Sequence, residues 1–175
     1  MMTAKISACI AELPATPGTG EDRARIASNA VVVLDGASGT DLGVSVSEYV
    51  DSLGDHLITV LDSYPSTSLT SAVTVAIEHT TTACGLTPGH APSSTVSIVR
   101  RGAETVDVLV LGDSPVYVSH LGRVNRVTDD RLKRLDPDLR KLSSGKPLTS
   151  YIAQAELCKS RLNSVSYLLT GQFNM

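Results

Sequence analysis

Ala30-Val31-Val32-Val33-Leu34-Asp35-Gly36 is the stretch on which the fold turns. An unbroken, largely β-branched aliphatic run closed by Asp-Gly predicts a strand buried on both faces and stopped by a turn. Before it, residues 4 to 12 alternate loosely and predict an earlier strand. Pro14 to Gly20, with two Pro and two Gly, predicts a loop between the two. After it, the small and polar residues 37 to 43 give way to a different period. Val46, Val50, Leu53, Leu57, Val60, Leu61 and Tyr64 recur at steps of three and four, one face of a helix. A second such face, Val73, Ala76, Ile77, Thr80 and Cys84, follows Pro65-Ser66-Thr67-Ser68 and ends at Gly85 and Pro88. Two consecutive helices predict a hairpin.

Downstream the period falls to two. Thr95 to Arg100, Thr105 to Leu111, Val116 to His120 and Val124 to Thr128 read as four short strands of an antiparallel meander. Gly112-Asp113-Ser114-Pro115 and Leu121-Gly122-Arg123 are two of its turns. Asp129-Asp130 is positioned to cap a short helix through Leu135, Pro137 to Ser160 is helical in part, and Val165 to Thr170 has strand character. Strands, then helices, then strands make a block order rather than βαβ alternation, so an α+β layered core is expected and a doubly wound nucleotide fold is not. With 175 residues and no linker or repeat, the chain is expected to form a single domain over residues 1–175.

Composition narrows the function. The chain is 42% hydrophobic and 19% charged, which fits a folded core, and no Trp with one Phe argues against aromatic platforms for nucleic acid bases. A net charge of −3 without a basic run argues against nucleic acid as a partner. No apolar run reaches the roughly 18 residues that a membrane span needs. Cys9, Cys84 and Cys158 are odd in number and have no Cys-x-x-Cys spacing, which predicts small buried apolar groups in a reducing cytoplasm.

Several motifs fail on context. Gly18-Thr19-Gly20 lacks the third glycine of a dinucleotide loop, and Gly145-Lys146 is followed by Pro147 with Arg140 where a P-loop needs glycine. His56, His79, His90 and His120 show no metal-pair spacing and read as satisfied boundary histidines. Ser38 and Ser114 are weak nucleophile candidates: no elbow surrounds Ser38, and no Asp-x-x-His accompanies Gly112-Asp113-Ser114. What remains is acidic. Glu21-Asp22, Asp35-Gly36 and Gly112-Asp113-Ser114 lie at strand ends, where carboxylates on rigid elements can converge on hard divalent cations.

In these residues the sequence resembles the metal-dependent protein phosphatases, the protein phosphatase 2C-like (PPM) family, and its compact bacterial members most. Gly20-Glu21-Asp22 is similar to the family's early acidic motif, Val31 to Gly36 to its apolar strand ending in Asp-Gly, Ser93-Ser94-Thr95-Val96 to its "STAV" strand, and Val110 to Tyr117 to its "GDSR" hairpin. The resemblance spans about residues 4 to 135. It implies a four-layer α-β-β-α sandwich of two antiparallel sheets flanked by helix pairs, incomplete at the C-terminus. It also implies two Mn²⁺ or Mg²⁺ ions, with a third further out. Asp35 would be the catalytic carboxylate bridging both metals, Glu21 and the Gly36 carbonyl would hold the second, and Asp113 would serve the third. The substrate implied is a phosphoserine or phosphothreonine protein, hydrolysed by a metal-bridging water.

This chain departs from that pattern at identifiable positions. Pro17 stands where the family places a phosphate-binding Arg, with Arg23 and Arg25 as the nearest substitutes, and Ala37 stands where a His often follows Asp-Gly. Leu168-Leu169-Thr170-Gly171 resembles a late metal-binding strand without its Asp. The alternative expectation is therefore an inactive pseudophosphatase or partner-binding fragment that lacks the late aspartates.

Overall fold

The computed structural model describes residues 7–11, 20–37, 43–87 and 90–131, and the backbone of residues 169–174. The elements are β1 (Arg23–Ile26), β2 (Ala30–Ala37), α1 (Val46–Ser63), α2 (Leu69–Ala83), β3 (Ser93–Arg101), β4 (Thr105–Leu111), β5 (Val116–His120), β6 (Arg123–Val127) and β7 (Leu169–Asn174). β1-β2-β3-β4-β7 form one antiparallel sheet and β5-β6 a second. This is the expected α+β arrangement of two antiparallel sheets with a helix pair. The predicted helical residues 137–160, Cys158 and Ser38 lie outside the described residues.

β2 alternates where the sequence predicted burial on both faces. Ala30, Val32 and Leu34 are buried, whereas Val33 is 42% exposed. Helices cover one face of the sheet; on the opposite face Val33 is exposed, while Val108 and Val110 of β4, which the register places on that same face, are fully buried. Nor do Asp35 and Gly36 form a turn. They continue the strand, opposite Thr95 and Ser94 of β3. The helix-side core joins Val32, Leu34, Val96, Ile98 and Leu109 to Val50, Leu53, Leu57 and Leu61 of α1 and Val73 and Ala76 of α2. Full burial of each such Leu or Ile contributes roughly 1.5–3 kcal/mol.

Both helices begin at their caps. Ser45 accepts the Glu48 amide proton while the Glu48 carboxylate accepts from the Ser45 amide, a closed capping box, and Ser68 caps α2 through the Ser71 amide. Tyr64, expected on the buried face of α1, is the C-cap and is exposed, because the helix has already ended at Ser63.

Three further expectations are corrected. Among residues 7–11 of the predicted first strand no strand forms and the side chains are exposed, since β1 occupies the edge of β2. The four-strand meander divides, because the chain turns out of the first sheet after Leu111 and β5 pairs with β6 alone. Cys9 is exposed and Cys84 half-buried, so neither is the buried apolar group expected. Among the described residues no helix is long and apolar enough to cross a membrane.

Sheet and helix hairpin are tied by Arg100, a residue without a motif. Its guanidinium pairs with Asp107 of β4 at 2.7 Å and donates to the carbonyls of Pro65 and Thr67 in the α1-α2 turn at 3.2 and 2.5 Å. The guanidinium thereby serves a largely buried carboxylate and two backbone carbonyls at once. Arg100→Ala is expected to lower unfolding free energy by about 3 kcal/mol in urea titrations, and a loss below about 1 kcal/mol would remove the clamp from the account.

Candidate acidic site at the end of the first sheet

Strand register assembles the site. Arg23 pairs with Leu34, Asp35 with Thr95, and Val96 with Leu111. Continuing the outer pairings by one residue aligns Asp22, Asp35, Thr95 and Gly112 in a row across the sheet. Residues paired across antiparallel strands share a face, so Asp35 and Thr95 lie on the side opposite the buried Leu34.

Asp35 has company there. Burial, first, and then the charge of Asp22, within hydrogen-bonding reach, and of Asp113, acting through space alone, hold the Asp35 carboxyl above its ordinary range. A hydrogen bond from Ser114 opposes the rise. The Ser114 hydroxyl also lies 2.7 Å from the Thr95 hydroxyl, and the Ser114 carbonyl accepts from Ser97 at 2.6 Å. Asp35 and Asp113, 78 positions apart in sequence, thus share one electrostatic environment.

Glu21 sits differently. A Cβ on Gly36 would fall 2.6 Å from the Glu21 carbonyl oxygen and 3.2 Å from the Glu21 Cβ. Glycine at that position is what lets the Glu21 backbone lie against β2. Asp22 is a neighbour of the Asp35 carboxylate, and the acidic motif gave Asp22 no role. Its place was recoverable from the β1-β2 register, one residue before Arg23.

The two candidate phosphate-binding arginines are engaged elsewhere. Arg23 pairs with Asp51 of α1 at 2.7 Å and donates to the carbonyls of Gly20 and Asp22 at 2.6 and 2.7 Å. Arg25 pairs with Asp51 at 2.6 Å and with Asp55 at 3.2 Å. Arg23, with Arg25 second, keeps the Asp51 carboxyl below its ordinary range against the effect of burial. These pairs hold the acidic loop and β1 to the helix. The helical His56 is likewise occupied, 3.2 Å from the buried Thr80 hydroxyl and edge-on to His79.

Across the site, the corner after β4 is braced from behind. Gly112 has φ +91°, and a Cβ there would meet Thr95 Cγ2 at 2.8 Å, so the close, left-handed turn requires glycine. Its amide donates to Asp129 at 3.2 Å, and Asp129 is chelated by Arg131. The Asp129 carboxyl is held below its ordinary range, since hydrogen bonds from Arg131 and from the Gly112 and Arg131 amides outweigh the opposing effect of burial. Asp129 accepts from the Arg131 amide at 3.1 Å, within a turn of its own; Arg131 is the last described residue before 169, so the helix expected through Leu135 lies beyond the described residues.

Among the described residues no three His, Cys, Asp or Glu side chains form a group that could hold a metal ion. Asp22, Asp35 and Asp113 offer hard carboxylate oxygens at this end of the sheet, and Gly36 lets the Glu21 backbone approach β2. That chemistry fits Mg²⁺ or Mn²⁺ better than a soft metal.

The fold is that of the PPM Ser/Thr phosphatases. The Ser-Thr phosphatase MsPP of Mycobacterium smegmatis, solved in complex with cacodylate, superposes with a TM-score of 0.52 at 16% identity over 98% of this chain and 70% of that one. The catalytic domain of the serine/threonine phosphatase PstP, in complex with two manganese ions, gives 0.51 at 14% identity over 93% and 69%. PppA of Pseudomonas aeruginosa gives 0.51 at 15% over 94% and 69%. No protein-family model and no curated protein matches the sequence.

The raised Asp35 carboxyl has a measurable sign. A carboxyl with a higher pKa folded than unfolded binds its proton more tightly in the folded state. Stability is therefore greatest below the ordinary Asp value, near pH ~3.9, and falls as pH rises from there through the raised folded value. In chelator-treated buffer Asp35→Asn is expected to raise the thermal midpoint at neutral pH, with the gain vanishing in acid. A lower midpoint at neutral pH would show that the charge is not under strain from its neighbours.

Proposed function

We propose that the chain is a metal-dependent phosphatase acting on phosphoserine and phosphothreonine in proteins. The observation that supports this reading is the electrostatic environment that Asp35 shares with Asp22 and Asp113, at one end of a sheet whose fold is shared with Ser/Thr phosphatases. Asp35 would be the central carboxylate, the Gly36 carbonyl and Glu21 would act on one side of it, and Asp113 on the outer side. Those oxygens would hold Mn²⁺ or Mg²⁺, which when bound supply an acidified water and positive charge for the phosphoryl oxygens.

The chain's own groups account for the rest. Asp22 adds negative charge beside Asp35, which strengthens the site's attraction for cations. Ser114, linked to Thr95, donates to Asp35 and orients its carboxylate, leaving the remaining lone pairs for a ligand. Arg23 and Arg25, neutralised by Asp51 and Asp55, are poorly placed to bind phosphate, so substrate recognition would lean on the site's bound cations rather than on a guanidinium.

The test is hydrolysis of p-nitrophenyl phosphate and of a phosphothreonine peptide with and without Mn²⁺. Activity is expected to require the cation and to fall at least ~10²-fold in Asp35→Ala. Hydrolysis that survives excess chelator would reject the proposal. No hydrolysis, with the phosphopeptide still bound, would leave a binding domain on a phosphatase fold.

A further inference from the structure

Asp129 is 3% exposed, beyond β6, and takes no part in the chemistry proposed above. A buried carboxylate is costly unless its oxygens are paired. Here one oxygen accepts from the Arg131 amide at 3.1 Å and from Arg131 Nε at 2.6 Å, while the other accepts from the Arg131 guanidinium and from the Gly112 amide at 3.2 Å. The last of these contacts leads out of the local turn, to a position 17 residues earlier.

Gly112 is the first residue past the β3-β4 ladder, which ends at the Leu111-Val96 pair. Its amide therefore takes the Asp129 carboxylate in place of a ladder carbonyl. Two residues on, Ser114 is pinned by its carbonyl to Ser97 and by its hydroxyl to Thr95. Asp113 lies between these two anchors, so its position follows from them.

We propose that Asp129, held by Arg131, is a positioning residue for Asp113: by fixing the Gly112 amide it sets where the Asp113 carboxylate stands relative to Asp35. The inference rests on the reading of Asp35 and Asp113 as one reaction centre. It extends that reading to a residue pair outside the proposed ligand set. The bond between Gly112 and Asp129 also closes the neck of the β5-β6 hairpin, so movement of that hairpin would be transmitted to Asp113.

The experiment uses the full ¹⁵N-labelled chain and two readouts. In Asp129→Ala the Gly112 amide is expected to exchange with solvent ~10-fold faster or more while Ile98 and Val99 of β3 keep their protection. In Asp129→Asn, which retains an acceptor oxygen, the increase should stay within about threefold. Mn²⁺ added in steps should broaden the Asp35 and Asp113 amide signals in the wild-type chain. In Asp129→Ala the midpoint for Asp113 should move ~10-fold higher while that for Asp35 stays in place, a split that simple destabilisation would not produce. Unchanged Gly112 exchange, or equal shifts of both midpoints, overturns the proposal. Should Asp129→Ala fail to fold, Arg131→Gln is expected to speed Gly112 exchange about threefold, and no change there overturns it equally. If Mn²⁺ broadens neither signal in the wild-type chain, the metal reading fails, and the exchange experiment still decides whether Asp129 fixes the corner.

Discussion

Because side chains alternate across a strand, a slip of one residue between β2 and β3 would carry Asp35 under the helices and turn Leu34 out to solvent. Everything at the acidic end of the sheet depends on that register. It is held on one side by the packing of Ala30, Val32 and Leu34 under α1 and α2. On that same side Gly36 lies against the Glu21 backbone and Val46 of α1, too close for any larger residue. The hydrophobic core and the acidic site are two faces of the same pairing, and neither can move without the other.

Like charges gathered at one end of a sheet repel, so the scaffold around them must be stiff. Guanidinium groups provide much of that stiffness. Arg23 ties the Gly20 to Asp22 loop to Asp51 of α1, Arg131 holds Asp129 behind the Gly112 corner, and Arg100 joins β3 and β4 to the turn between the helices. In each case the cation is engaged with a carboxylate and also, directly or through that carboxylate, with the backbone. A planar fork with several donors suits this double duty in a way an ammonium does not. The guanidinium groups of Arg23, Arg25 and Arg131 are thereby engaged in structure.

Much of the fold could be read along the chain, and the misreadings share one origin. The starts of α1 and α2 and the bounds of β4 and β5 follow from caps and periodicity, which are local properties. The aliphatic run 30 to 34 reads as buried on both faces because periodicity does not report how far cover extends over each strand: Val33 of β2 is exposed, while Val108 and Val110 of β4, on the same face, are buried. Asp35-Gly36 looked like a turn because that dipeptide favours turns when nothing else intervenes; pairing with Thr95 and Ser94 intervened. The division of the meander at Gly112 was equally hidden, since it depends on which partner each strand finds. Among site residues, Asp35 and Asp113 stood out as acids at strand ends and do share an environment. Asp22, Ser114 and Asp129 take their importance only from what lies across from them.

The amino-acid sequence by itself determined the inventory: which segments could be helix or strand, a largely aliphatic core, acidic groups at strand ends, and an order of motifs similar to that of the metal-dependent phosphatases. Only the tertiary structure decided that Asp22 adjoins Asp35, that Arg23 and Arg25 pair with α1, and that Asp129 reaches back to Gly112. Propensity and capping act within a few residues, so they are written locally. Register, charge pairing and burial depend on partners tens of residues away, and those are settled only when the sheet is assembled.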